Sequence, residues 1–147
     1  MNESTEGSDD SGRGRLTGYL DDVEHEHERE FIERELAAGR DVEIIPTGEG
    51  RTPDFRIDRQ LIGLKSLLDI QDQSSDGLTG AITSRAMDGR GQAVDIVIDG
   101  SSQEGLTQEI AERGISRAFG ADQRSGAKID SIRIVGPDFD ITVPRIR

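Results

Sequence analysis

The chain of 147 residues has no cysteine and no tryptophan, one tyrosine and four phenylalanines. Without cysteine there is neither a disulfide framework nor a thiolate metal site. Apolar residues make up only 32% of the chain, so any core has to be assembled from aliphatic side chains. Lysine is nearly missing as well: of 18 basic residues only Lys65 and Lys128 are lysine, the rest arginine. No apolar run approaches the ~20 residues that a membrane span requires. The opening stretch, M-N-E-S-T-E-G-S-D-D, has neither the basic start nor the apolar segment of a signal peptide. These absences lead us to expect a cytoplasmic protein, or a fragment delivered as part of a larger secreted carrier.

What the chain does have is negative charge, and it is unevenly spread. Residues 1–35 carry 12 acids against four arginines; the remaining 112 carry 18 against 14 basic residues. An acidic surface opposes nonspecific binding to nucleic acid, although a local basic groove remains compatible with it. Residues 1–18 are expected to form a disordered acidic arm, because the first fifteen contain one methionine and no other hydrophobe. The rest, 19–147, is long enough for one domain with a real core.

Periodicity sets the expected elements. A helix is predicted from Leu20 or Asp21 to Ala38, stopped by Gly39, with Phe31, Ile32 and Leu36 on one stripe. His25 and His27 are two apart, which is not the i, i+4 spacing of a helical metal pair. A strand follows at 41–46. Asp76 is expected to cap a helix from about Gly77 to Met87, and Val94, Ile96 and Ile98 alternate as a strand. Ser101 and Glu104 read as a capping box opening a helix over 103–119, in which Gly114 costs ~1 kcal/mol relative to alanine. Two more strands close the chain. The order αβββαβαβ, with one further short strand, predicts an α/β fold: a mixed β-sheet flanked by helices.

The stretch T-P-D-F-R-I-D-R-Q-L-I-G-L-K-S-L, residues 52–67, carries the chemistry. With Asp58 and Arg59 as the two turn residues of a hairpin opened by Pro53, Asp54, Arg56, Leu61, Gly63 and Lys65 share one face. Phe55, Ile57, Ile62 and Leu64 share the other. A carboxylate and a lysine then lie on the polar side of an apolar hairpin.

That order, with P-D entering one strand and a lysine on the next, resembles the PD-(D/E)xK nuclease core, which is restriction-endonuclease-like. Across residues 29–143, Arg29-Glu30, L-A-A-G-R-D-V-E-I-I-P, P-D-F-R-I-D, L-K-S, Gly91-Gln92 and D-I-V-I-D resemble the C-terminal nuclease domains of contact-dependent growth inhibition and related polymorphic toxins. The resemblance implies hydrolysis of phosphodiester bonds in RNA, with tRNA ahead of DNA, and an immunity protein as partner. It implies a divalent metal (Mg²⁺, Mn²⁺ or Zn²⁺) held by Asp54 and Glu30, polarising the phosphoryl oxygen and activating a water. Lys65 is implied as the motif lysine, beside Asp54 and Glu30 in the catalytic set. Arg56, Arg85 and Gln92 are the expected substrate contacts. The chain departs from the pattern at Gly63, where a second carboxylate belongs. Asp69, Asp72, Asp95 or Glu30 could supply that acid. A metal-independent ribonuclease mechanism, with Lys65, Arg56 or Arg85 stabilising the phosphate, is a second way out. A catalytically inactive module that binds nucleic acid or a partner protein is the third.

Overall fold

The computed structural model describes residues 12–46 and 54–145. The first eleven residues of the expected arm, and Pro53 with the loop before it, lie outside the described residues. The chain divides into two compact units, Met1–Leu61 and Ile62–Arg147.

In the first unit, β1 (Leu16–Thr17) is followed by a 3-10 turn at Leu20–Asp22, then α1 (Glu26–Ala37), β2 (Val42–Ile45) and β3 (Asp54–Ile57). β2 lies in the middle, parallel to β1 and antiparallel to β3. Val42 and Ile44 pair with Ile57 and Phe55, and all four are buried, as are Phe31, Ile32 and Leu36 of α1. Alternation thus gives the sheet one apolar face, which α1 serves. Gly39, at φ +91, ends the helix and donates its N–H to the Leu36 carbonyl at 3.0 Å.

Two expectations change here. The arm assigned to residues 1–18 contains a strand at Leu16–Thr17, because backbone groups recruit it: Val42 N–H donates to the Arg15 carbonyl at 2.9 Å, and Gly14 N–H to the Leu36 carbonyl at 2.8 Å. Main-chain bonds of this kind do not need apolar side chains. The single helix expected from Leu20 is interrupted, and α1 begins only at Glu26. Val23 is fully buried and has an extended backbone, so seating its side chain takes the chain out of helical geometry.

The second unit holds β4 (Gln60–Ser66) from Ile62 onward, α2 (Ser75–Gly89), β5 (Asp95–Asp99), α3 (Gln108–Arg124), β6 (Ser131–Val135) and β7 (Asp140–Pro144). β4, β5 and β6 run parallel, with α2 and α3 as the crossovers, and β7 returns antiparallel to β6. Ile96 pairs with Ile132 and Ile98 with Ile134, and these four share a core with Ile82 and Ala86 of α2 and Ile115 and Ala118 of α3. Each such isoleucine contributes roughly 1.5–3 kcal/mol by leaving water. The mixed α/β class expected from the sequence is the class observed.

Helix starts shift. Ser74, not Asp76, caps α2, accepting from Gly77 N–H at 3.1 Å. α3 begins at Gln108, capped by Thr107, and the Ser101 box does not form. Ser101 Oγ instead donates to Asp99 at 2.7 Å, and Leu106 is buried in the loop, so residues 100–106 turn inward before any helix starts. Gly114 has a packing reason: a Cβ there would lie 2.6 Å from Ile82 Cγ2, so glycine lets α3 approach α2. Among the described residues no helix is long and apolar enough to cross a membrane.

Candidate functional site

Asp54, Arg56 and Glu30 belong to the first unit, and Lys65, Arg85 and Gln92 to the second. Asp58 and Arg59, which link β3 to β4, have φ of +48 and +74. Positive φ at both positions is the signature of a two-residue type I′ turn, so the turn sits where the sequence places it. It is anchored inside the first unit: Asp58 N–H donates to the Asp41 carbonyl, and Asp58 Oδ1 accepts from Asp41 N–H, both at 2.8 Å.

Asp54 is exposed, on the face of β3 opposite the buried Phe55. Arg56 shares that face and ion-pairs with Glu43 at 2.9 Å. Glu30 is exposed on α1, in a shallow groove with Glu26, Arg29, Glu33 and Arg34. The apolar face of the sheet packs on the buried stripe of α1, while Glu30 and Asp54 lie on the outer sides of helix and sheet. The two acids therefore do not converge.

In the second unit Lys65 pairs with Ile98, and Gly63 with Ile96, so both lie on the sheet face that α2 and α3 cover. Lys65 is half-buried, and a Cβ placed on Gly89 of α2 would come within 3.5 Å of its Cε. That is ordinary contact; glycine at that point makes room for Ile96, whose Cδ1 a Cβ would approach to 2.9 Å. Gly63 is buried, and a Cβ there would meet Ile96 Cδ1 at 3.4 Å, Ala93 Cβ at 3.7 Å and the Gly89 carbonyl at 3.8 Å. A carboxylate at this position would start from close-packed, mostly apolar surroundings, which penalise an unpaired charge.

The remaining expected contacts are engaged locally. Arg85 donates Nε to the Ser66 carbonyl at 3.2 Å and Nη2 to the Leu68 carbonyl at 3.5 Å; it fastens α2 to the end of β4. Gln92 is exposed after α2. Of the alternative acids, Asp95 accepts from Ser131 Oγ at 2.6 Å. Asp69 is exposed at φ +57. Asp72 accepts from Ser74 Oγ at 2.6 Å and from Ser74 N–H at 3.0 Å, which holds its carboxyl below the usual value.

Among the described residues no group of three or more His, Asp or Glu side chains could hold a metal ion. His25 and His27 stack with ring centroids 5.4 Å apart and bring no third ligand. The donor set among the described residues does not fit the divalent metal implied by the resemblance.

Two arrangements had no signal in the sequence. Asp122 in α3 is fully buried and accepts from Lys128 N–H at 3.0 Å and Ile129 N–H at 2.8 Å. Arg145 donates to it directly, and Arg90 Nε lies 3.2 Å from it as an ion pair whose N–H is not aimed at the carboxylate. On the first unit's open sheet face, Arg15 and Arg59 border a concavity with Arg56; only alternation along β1 could have hinted at Arg15. No protein-family model, curated protein or solved structure matches the chain.

Proposed function

We propose that the chain is a toxin-type nuclease hydrolysing phosphodiester bonds in RNA, with tRNA ahead of DNA. One observation carries this reading. A helix, three strands, a helix, a strand, a helix and a strand follow one another, with Asp54 opening β3, the Asp58–Arg59 turn behind it and Lys65 near the end of β4. That run, preceded by β1 and followed by β7, supports the resemblance to a restriction-endonuclease-like core, in which a motif acid and lysine are expected at these two places. Because the acids do not gather, the metal-free form of the reaction has the better support. In RNA the 2′-oxygen attacks phosphorus and gives up its proton to water. The P–O5′ bond breaks with the 5′-oxygen leaving as a protonated hydroxyl, and water then hydrolyses the 2′,3′-cyclic phosphate. A cation such as Lys65 would lower the barrier by meeting the charge that develops on the phosphate.

Gly63 favours a second reading, a catalytically inactive module of the same fold that binds nucleic acid or a protein partner. Its position, where the motif's second carboxylate belongs, is buried against Ile96 and Gly89, and among the described residues no group of acids and histidines that could hold a metal replaces it.

Incubating the protein with tRNA and with plasmid DNA, in Mg²⁺, Mn²⁺, Zn²⁺ or EDTA, separates the two. Cleavage of tRNA that survives EDTA and is lost in Lys65→Ala is the expected result, with Asp54→Ala reporting whether that acid takes part. Cleavage abolished by EDTA would restore the metal-dependent route. Intact substrate under every condition, with the fold verified by circular dichroism, would leave the binding module.

A further inference from the structure

On the face of the first unit's sheet opposite its apolar side, Thr17, Glu43 and Arg56 form a row across β1, β2 and β3. With Arg15, Asp41 and Arg59 they line a concavity of about 200 Å³. Three guanidiniums thus meet two carboxylates. Both carboxylates are engaged: Asp41 Oδ1 accepts from Arg15 N–H at 2.8 Å, and Glu43 pairs with Arg56 at 2.9 Å. Arg13 and Arg40 nearby in the chain are paired as well, with Glu33 and Glu35. The Arg15 and Arg59 side chains have no carboxylate partner among the described residues. Arg29, Arg117 and Arg124 likewise have no ion pair among the described residues, and what sets Arg15 and Arg59 apart is that both border one concavity.

Arg59 adds a second oddity. It holds a left-handed backbone at φ +74, where glycine is the favoured residue of a type I′ turn. A large cation occupies a position that strains it, and its side chain borders the concavity.

From these observations we infer that the concavity is a binding site for a phosphodiester group of a nucleic-acid strand. Arg15 and Arg59 supply the free cations, Arg56 is held in place by Glu43, and the Thr17 hydroxyl is a neutral donor. The lining residues sum to plus one and Asp58, bonded to the Asp41 N–H, brings the surroundings to neutral, which suits a single monoanionic diester better than a dense polyanion. Guanidinium forks match phosphate oxygens in geometry as well as charge. The choice of nucleic acid as the source of the phosphate rests on the nuclease reading above; the anion site itself does not.

The test uses a single-stranded 2′-O-methyl RNA oligomer, which cannot be cleaved through its 2′-oxygen, followed by fluorescence anisotropy across a salt series. Inorganic phosphate, followed through amide chemical shifts, is the second probe. Binding is expected to weaken about threefold to tenfold in Arg15→Gln and in Arg59→Gly. In the double variant the log–log salt slope should fall by about 0.7, the value for one phosphate contact on a single strand. Glu43→Gln should tighten binding by removing a competing carboxylate. Arg59→Gly creates Asp-Gly, a preferred type I′ pair, so its thermal midpoint should match or exceed wild type and a damaged turn cannot explain the loss. Unchanged oligomer affinity in the double variant would overturn the site, as would phosphate that leaves the amides of Thr17 and Arg59 unmoved. Phosphate that moves those amides while the oligomer does not bind keeps the anion site and removes nucleic acid as its ligand. Oligomer bound here but tRNA never cut supports the site and fails the catalytic reading alone. tRNA cut by the double variant with unchanged KM fails the site alone.

Discussion

In the second unit, Arg90 and Arg145 turn inward on Asp122, a carboxylate with no solvent exposure; in the first, Arg15 and Arg59 border an open concavity with no carboxylate partner among the described residues. The side chains have the same chemistry, and burial separates their consequences. Around Asp122 the cations are 18% and 8% exposed, so the interaction is little screened and every partner is needed. Arg145 also donates to the Ile129 carbonyl and to Gln123 Oε1, at 2.7 and 2.8 Å, and stacks over Phe119. Across the first unit's open face, water screens the Arg56–Glu43 pair, whose side chains are both 42% exposed. Charge there is available for a ligand and adds little to stability.

The largest expected effect breaks this contrast directly. Asp122→Ala leaves two cations buried without their counterion and the N–H groups of Lys128 and Ile129 without an acceptor. Breaking a buried pair in this way costs about 3–5 kcal/mol. Glu43→Ala in the first unit should cost no more than about 1 kcal/mol. Urea unfolding at matched m-values reads both. Similar costs for the two would show that burial is not what separates the units.

A smaller effect concerns how tightly the second unit closes. Gly114→Ala gains helix propensity of ~1 kcal/mol, but its Cβ would sit 2.6 and 2.7 Å from Ile82 Cγ2 and Cβ. Overpacking of that kind costs about 1–3 kcal/mol, so the net should be destabilising by about 1 kcal/mol. In an Ile82→Ala background the clash is gone and the same substitution should turn neutral or stabilising. A double-mutant cycle without that coupling would mean that the two helices yield easily.

The sequence shows the elements more clearly than their boundaries, and pairs close in sequence more clearly than distant ones. Ile96 and Ile98 are buried in β5 as their spacing predicts, although Val94 lies exposed before the strand and Val97 is buried too. Asp58-Arg59 fits the two-residue gap between apolar runs, so strand and turn are found without a structure. The start of α3 is missed because Ser101 and Glu104 have the spacing of a capping box, while burial of Leu106 keeps the backbone non-helical until Thr107. The face of Lys65 needs its register with Ile98, which no local pattern contains. Asp122, Arg90 and Arg145 are separated by 32 and 23 positions and meet only in three dimensions. The same holds for Arg15 and Arg59. The expected acids Asp54 and Glu30 were joined by resemblance, and it takes the two sides of the first unit's sheet and helix to separate them.

The smallest effect tests whether an exposed charge in the second unit behaves like those of the first. Asp72 has no burial, and the Ser74 hydroxyl and N–H lower its pKa. A depressed folded value means that the unfolded state binds the proton more readily, so stability rises with pH through this window. The contribution is complete above the unfolded value and is lost as pH falls through the folded one. Acidification should therefore loosen the link from Asp72 through Ser74 to the Gly77 N–H at the start of α2. In Asp72→Asn this part of the acid dependence should vanish. In Ser74→Ala the Asp72 carboxyl, followed by its carbon resonance, should titrate closer to its ordinary value, because its largest cause is gone. A carboxyl that titrates identically in wild type and Ser74→Ala would assign the depression elsewhere. Frayed amides at 75–77 in acid, with the rest of the second unit intact, would show that exposed charge acts there within one helical turn while buried charge holds the unit together.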